Sequence, residues 1–174
     1  MVTVRPLGAR TIDEILAASR ARLVRLRPHE AFAEVSAGGV LIDIRPAGQR
    51  ADEGEIPGSV IIERNHLEWR LDPSCDARLP WVTGYDHRVI VFCWEGYTSS
   101  LAAAALHDLG LHRATDVIGG FRAWTAGGLP CAPGGAGTVT LAPGASSAVF
   151  PRSPPGRPCG APLARRGLAF GGAP

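Results

Sequence analysis

The chain has 174 residues, 45% of them hydrophobic and 20% charged, with a net charge of +2, which describes a globular protein of one ordinary domain with room for an appendage. Its longest apolar runs, such as "LAAAAL", fall far short of the roughly 18 residues that a membrane span needs. Every basic residue is arginine; residues 1–130 carry 14 against 16 acids and residues 131–174 carry 4 against none, which is not the basic footprint of a dedicated nucleic-acid binder.

The first stretch, "MVTVRPLGARTIDE", holds no apolar h-region of a secretory signal, so a cytoplasmic address is the expectation. In "TIDEILAASRARL", Thr11 and Glu14 stand at capping-box spacing, with Ile12, Ile15 and Leu16 on helical offsets behind them. "RPHEAFAEVSAGG" starts a second helix at Pro28, carries Ala31, Phe32 and Val35 inward, and stops at Gly38-Gly39. "VLIDI", residues 40–44, is a short apolar run after a turn signal and is expected to be a buried strand. "PAGQRADEGE" suits a short polar helix or loop, and "IPGSVII" a turn into a second strand.

Residues 64–86, with Leu67, Trp69, Leu71 and Trp81, are expected to form a long ordered loop whose aromatics close the core edge and wall a site. "HRVIVF", residues 87–92, is the third strand, "SSLAAAALHDLGL" a helix with Gly110 near its end, and "ATDVIGG" a fourth short strand. "GFRAWTAGGLP" is a last helix, stopped by Gly127-Gly128 and Pro130. Strands alternating with helices at this pitch imply an α/β fold, a mostly parallel sheet flanked by helices on both faces and spanning residues 1–130. The remaining 44 residues hold 9 Gly and 8 Pro without a sustained period, the composition of a disordered tail or of a segment that docks on a partner.

Four cysteines, Cys75, Cys93, Cys131 and Cys159, lie far apart and form no C-x-x-C pair, and the five histidines show no metal-ligand spacing with them, so no metal site is expected. Cys93 differs from the others in its place. It ends the apolar run of the third strand, and a few residues later Thr98 and Ser99 open a helix. In parallel α/β sheets the carboxyl ends of strands are where sites form. A strand end followed closely by a helix N-terminus gathers unpaired backbone N–H groups and partial positive charge around one point, which favours a thiolate there. Gly96 lets the loop bend, and Thr98 or Ser99 is placed either to cap the helix or to turn a hydroxyl toward sulfur.

These residues resemble a known family. "CWEGYTSS" closely resembles the active-site loop of rhodanese-domain sulfurtransferases, which reads Cys, two variable residues, Gly, one variable residue, then Thr or Ser. "LIDIRP" resembles the family's Asp-x-Arg strand end, carried here by Asp43 and Arg45, and "EGEIPGSVII" its "GHIPGA" turn with Glu55 where His is usual. "VIGGFRAWTAGGLP" resembles its closing segment, and together the four motifs span about residues 28–130. The resemblance implies a rhodanese-like domain in which the Cys93 thiolate takes the outer sulfur of a small donor such as thiosulfate or an organic persulfide. A thiol or thiocarrier acceptor then removes that sulfur from the Cys93 persulfide, with no metal or organic cofactor.

On the same resemblance, Trp94, Glu95, Gly96, Tyr97, Thr98 and Ser99 surround the substrate, with Trp94 and Tyr97 as a hydrophobic rim. Arg50 or Arg64 folds over the site as a compensating cation, and Asp43 and Arg45 brace the strand end. Two features set limits. The related phosphatase loop needs Arg for bidentate phosphate contacts where this chain has Ser99. Glu95 stands where thiosulfate-using members often carry a basic residue, and it opposes a dianionic donor. The alternative is a catalytically weak rhodanese-like module that docks a protein partner through Trp94, Tyr97 and the tail. Oligomeric state stays open, as does the question of whether Cys75, in the long loop, resolves the persulfide.

Overall fold

The computed structural model describes residues 4–134. Helix α1 (Ile12–Ala21) opens with the expected capping box: the Glu14 amide donates to Thr11 Oγ1 at 3.1 Å and the Thr11 amide to Glu14 Oε2 at 2.6 Å. Helix α2 (Pro28–Ser36) takes Pro28 at its first position, where a missing N–H costs nothing, and the Glu30 carboxylate accepts from the Arg27 amide at 2.7 Å.

Strands β1 (Val40–Asp43), β2 (Val60–Ile61), β3 (Val89–Phe92) and β4 (Thr115–Asp116) form one all-parallel sheet in the order β2-β1-β3-β4. β3 is fully buried along its length, as its unbroken apolar sequence requires when both faces are covered. Alternation then divides its side chains. Val89 and Val91 enter a core with Leu67 and Leu71 of α4 (Leu67–Leu71) and Ala102 and Leu106 of α5 (Thr98–Asp108). Ile90 and Phe92 enter the opposite core with Ala31 of α2 and Phe121 and Trp124 of α6 (Gly120–Ala126). Burial of each of the Val, Ile, Leu and Phe side chains among these contributes roughly 1.5–3 kcal/mol. α1 packs outside α5, and a further helix, α3 (Ala47–Glu53), follows β1.

Three differences from the sequence reading have plain causes. Residues 64–86 are not a continuous loop: a 3-10 turn (Arg64–His66) leads into α4, driven by burial of Leu67 and Leu71. Trp69 is 60% exposed, so it neither closes the core nor walls the site, whereas Trp81 packs on the core edge against His87 with ring centroids 5.5 Å apart. Past Pro130 the chain is still tied to the body, because Glu55 and Ala132 exchange two backbone hydrogen bonds of 2.8 Å. The Gly/Pro-rich region from residue 135 on lies outside the described residues.

Candidate active site

The loop from Cys93 to Thr98 leaves the carboxyl end of β3 and enters α5 after a single turn. Two glycines make its geometry possible. Gly96 has φ +78°, and a Cβ there would lie 2.9 Å from the Gly119 nitrogen and the Val117 oxygen. Gly120 has φ +58°, and its bare Cα lets the start of α6 abut the loop, where a Cβ would fall 2.7 Å from the Trp94 carbonyl. That approach is used: the Phe121 amide donates to the Cys93 carbonyl at 2.8 Å and the Arg122 amide to the Trp94 carbonyl at 3.1 Å. With its carbonyls held from behind, the loop turns amides toward sulfur. Cys93 Sγ accepts from the Gly96 amide at 3.2 Å and from the Ser99 amide at 3.4 Å. Its thiol donates to the Ser99 hydroxyl at 3.4 Å, and that hydroxyl donates onward to Asp116 Oδ2 at 3.0 Å.

Cys93 is half-buried at the wall of a cavity of about 300 Å³. Trp94, Glu95, Tyr97 and Thr98 line it from the loop, Ile44, Arg45, Pro46 and Gln49 from the end of β1 and the start of α3, and Arg64 from the 3-10 turn. Most predicted site residues therefore converge on one space. Trp94 is held by stacking on Phe121, with centroids 5.9 Å apart, while Tyr97 is 55% exposed with the Arg20 guanidinium 5.2 Å over its ring. Neither Thr98 nor Ser99 caps α5. The residue before the helix is Tyr97, without a side-chain cap, and the Ser99 hydroxyl takes the second of its two anticipated roles, facing sulfur.

The cations divide differently from the expectation. Arg64 lies on the cavity and is bonded at 2.8 Å to Glu68, one turn along. Arg50 does not fold over the site. It is buried under α3, where its Nη1 donates to the Arg45 carbonyl and its Nε stands 3.7 Å from Glu55. The missing His at position 55 is thus replaced by an acid that holds Arg50 inward. Asp43 and Arg45 form a fully buried pair, with Nη2 to Oδ2 at 2.6 Å, and Arg45 also donates to the Gly54 carbonyl at 2.9 Å and stacks 3.9 Å over the Phe121 ring. The pair thereby ties the end of β1 to Gly54, and Arg45 also walls the cavity.

Sequence reasoning missed four side chains. Arg122, from α6, donates to Glu95 Oε1 at 2.7 Å and offsets the acid that opposes an anionic donor. Arg20, Arg25 and Asp116 lie beneath the loop, and no local signal marks them, because each reaches it through tertiary placement. Cys75, by contrast, sits in a turn after α4 with its Sγ accepting from the Ala77 amide at 3.4 Å, and it does not line the Cys93 cavity. Among the described residues no group of three or more His, Cys, Asp or Glu is placed to hold a metal, and no helix is long and apolar enough to cross a membrane.

The rhodanese-like domain family matches residues 27–127. A thiosulfate sulfurtransferase GlpE from Stutzerimonas stutzeri is 35% identical over 100 residues, covering 58% of this chain and 83% of the relative. A Rhodopseudomonas palustris protein of unknown function, described as a possible tyrosine phosphatase, superposes with a TM-score of 0.66 at 28% identity, covering 75% of this chain and all of that one. The thiosulfate sulfurtransferase of Pseudomonas aeruginosa shares the fold with a TM-score of 0.57 at 21% identity, covering 71% of this chain and 22% of that larger one.

Proposed function

The chain belongs to the rhodanese-like domain family, and from that premise we propose that it is a sulfurtransferase in which Cys93 carries sulfane sulfur from a donor to a thiophilic acceptor. The observation that carries this reading is the Cys93 sulfur at a cavity wall with two loop amides donated to it. In the first half-reaction the Cys93 thiolate attacks the outer sulfur of thiosulfate or of an organic persulfide. The S–S bond of the donor breaks, sulfite or the organic thiolate leaves with the electron pair, and a persulfide anion remains on Cys93. Amides aimed at the sulfur stabilise that charge without reorganising. In the second half-reaction a thiol, a thiocarrier or cyanide attacks the terminal sulfur, and the Cys93 thiolate is the leaving group. Both half-reactions run on sulfur alone and call for no metal or organic cofactor.

The rim supports a donor with an apolar body or a single charge over a bare dianion. Trp94, Pro46 and Ile44 face the cavity, and its exposed acid and its Arg64 are each already paired with an opposite charge. The related phosphatase chemistry lacks its guanidinium, since Ser99 occupies the position and bonds to sulfur and Asp116 instead. Thiocyanate formation from donor and cyanide tests the reading. Wild type forms thiocyanate with thiosulfate or an organic persulfide, and Cys93→Ser forms none. Equal turnover by the two proteins, or none by wild type with either donor, contradicts it.

A further inference from the structure

The segment preceding the family match reaches into the site. After α1 the chain runs alongside β4, where the Leu26 amide donates to the Asp116 carbonyl at 3.0 Å and the Ile118 amide to the Leu26 carbonyl at 2.8 Å. This parallel bridge turns Leu26 into the core and Arg25, its neighbour, toward the underside of the Cys93 loop. Arg25 grips the buried Asp116 carboxylate with both arms, Nε to Oδ1 at 2.7 Å and Nη2 to Oδ2 at 3.0 Å. The same Nη2 donates to the Gly96 carbonyl at 3.1 Å, beside Arg20 Nη2 at 2.9 Å and the Ser100 hydroxyl at 2.9 Å. Asp116 Oδ2 in turn accepts from Ser99 at 3.0 Å and stands 2.8 Å from the Ser100 hydroxyl, whose single hydrogen it shares with the Gly96 carbonyl. Carboxylate and sulfur thus stand on opposite sides of one hydroxyl.

We propose that Arg25 and Asp116 are positioning residues for Cys93, setting the reactivity of its sulfur through the Ser99 hydroxyl and the Gly96 carbonyl. The proposal rests on Cys93 being the reactive group, and its physics is a contest for one proton. The Ser99 hydroxyl has a single hydrogen, which Asp116 holds while the Cys93 thiol donates from the other side. When sulfur becomes an anion, that proton is wanted by sulfur as well. A bare Asp116 carboxylate would oppose the second negative charge, and Arg25 cancels it. Arg25 and Arg20, gripping the Gly96 carbonyl, also fix the residue whose amide points at sulfur. Of the other charges around Cys93, Glu95 is matched with Arg122, Arg64 with Glu68 and Arg45 with Asp43, while the Arg20 cation behind the loop is held by the Gly96 carbonyl and the Ser100 hydroxyl. The Arg25–Asp116 pair differs from these in that its carboxylate shares the Ser99 hydroxyl with the Cys93 sulfur, so removing one partner changes the charge one hydroxyl away from sulfur. Both arginines precede residue 27, so the site is completed from outside the matched domain.

Alkylation of Cys93 by iodoacetamide, followed across pH at the Cys93 peptide by mass spectrometry in the full chain carrying Cys75→Ser, tests this. Arg25→Gln leaves the carboxylate uncompensated, so the pH profile moves to higher pH and alkylation at pH 7 slows by roughly tenfold. Asp116→Asn frees the Ser99 proton and leaves Arg25 unpaired, so the profile moves to lower pH. The double variant Arg25→Gln/Asp116→Asn returns toward the parent profile, and Arg25→Lys, which keeps the charge, stays within about twofold of it. Coincident profiles for all variants overturn the proposal. So do equal shifts from Arg25→Gln and Arg25→Lys, or additive slowing in the double variant, because these mark general loop damage. If Asp116→Asn does not fold, the Gln and Lys pair at position 25 decides alone. The readout needs only a reactive thiol, so failure of sulfur transfer itself would show separately, as an absent persulfide in a protein whose alkylation profiles still diverge.

Discussion

The Gly96 amide donates to Cys93 Sγ from a residue held at φ +78°, so the turn that aims the loop's first amide at sulfur depends on a conformation that only glycine adopts freely. Gly96→Ala adds backbone strain, and its Cβ meets the Gly119 nitrogen and the Val117 oxygen at 2.9 Å, backbone atoms that cannot swing aside. The expected loss is about 1–3 kcal/mol of stability. Sulfur transfer should fall by roughly a hundredfold, the lower end of the loss when one donor to a developing anion is removed. Urea unfolding and steady-state kinetics on one preparation separate the two effects.

Glu95 and Arg122 set the charge at the mouth. Both are exposed, so their pairing is weakly stabilising, by about 0.2–1 kcal/mol, but they stand where an anionic donor arrives. Glu95→Gln should lower the KM for thiosulfate by about two- to fivefold, and Arg122→Ala should raise it by a similar factor. Both differences shrink as salt rises, since the Debye length falls to about 3 Å at 1 M. KM measured at low and high salt for thiosulfate and for a neutral donor checks this, because the neutral donor should show neither change.

The buried Asp43–Arg45 pair is the structural keystone of the β1 end. Asp43→Asn leaves a guanidinium in the core short of its counter-charge, which costs about 3–5 kcal/mol. Replacing both with apolar residues, Asp43→Leu with Arg45→Met, should cost less than the two single losses added together. Arg45 also walls the cavity, so the double variant should keep its fold and lose donor affinity. Denaturant midpoints for the four proteins of the cycle provide the check.

At the far end of the sheet, the Arg88 guanidinium bonded to Glu34 holds that carboxyl below its ordinary value of 4.5, against the opposing effect of burial. A carboxylate depressed in the folded state stabilises above its unfolded value, and the gain disappears as pH falls through the lowered folded value. Glu34→Gln should therefore be less stable than wild type near neutrality, and the two should converge below pH 4.5. Because Glu34 is more than a third exposed, the neutral difference should be small. Unfolding midpoints across that pH range measure it.

What the sequence made legible follows from how far each signal reaches. The Thr11–Glu14 cap, the apolar strand ending at Cys93 and the glycine at position 96 are encoded within a few residues, and each stands where local physics places it. Asp43 and Arg45 were singled out only through the family resemblance of their strand end, and the structure joins them as a buried ion pair. The placement of Arg50 was not legible. Its direction is decided by Glu55 and by the Arg45 carbonyl, and a solvent-facing and an inward-facing arginine look alike in sequence. The same holds for Arg122 over Glu95 and for Arg25 under the loop, pairs separated by 27 and 91 residues that meet through the sheet order. The missed helix α4 is one turn long, and its two buried leucines gave no period to detect.

The central claim is that Cys93 carries sulfur. Intact mass of wild type and Cys93→Ala, taken after incubation with thiosulfate or an organic persulfide and again after cyanide, addresses it most directly. Wild type alone should gain one sulfur atom, and cyanide should remove it. No gain by wild type with either donor, or an equal gain by Cys93→Ala, would contradict it.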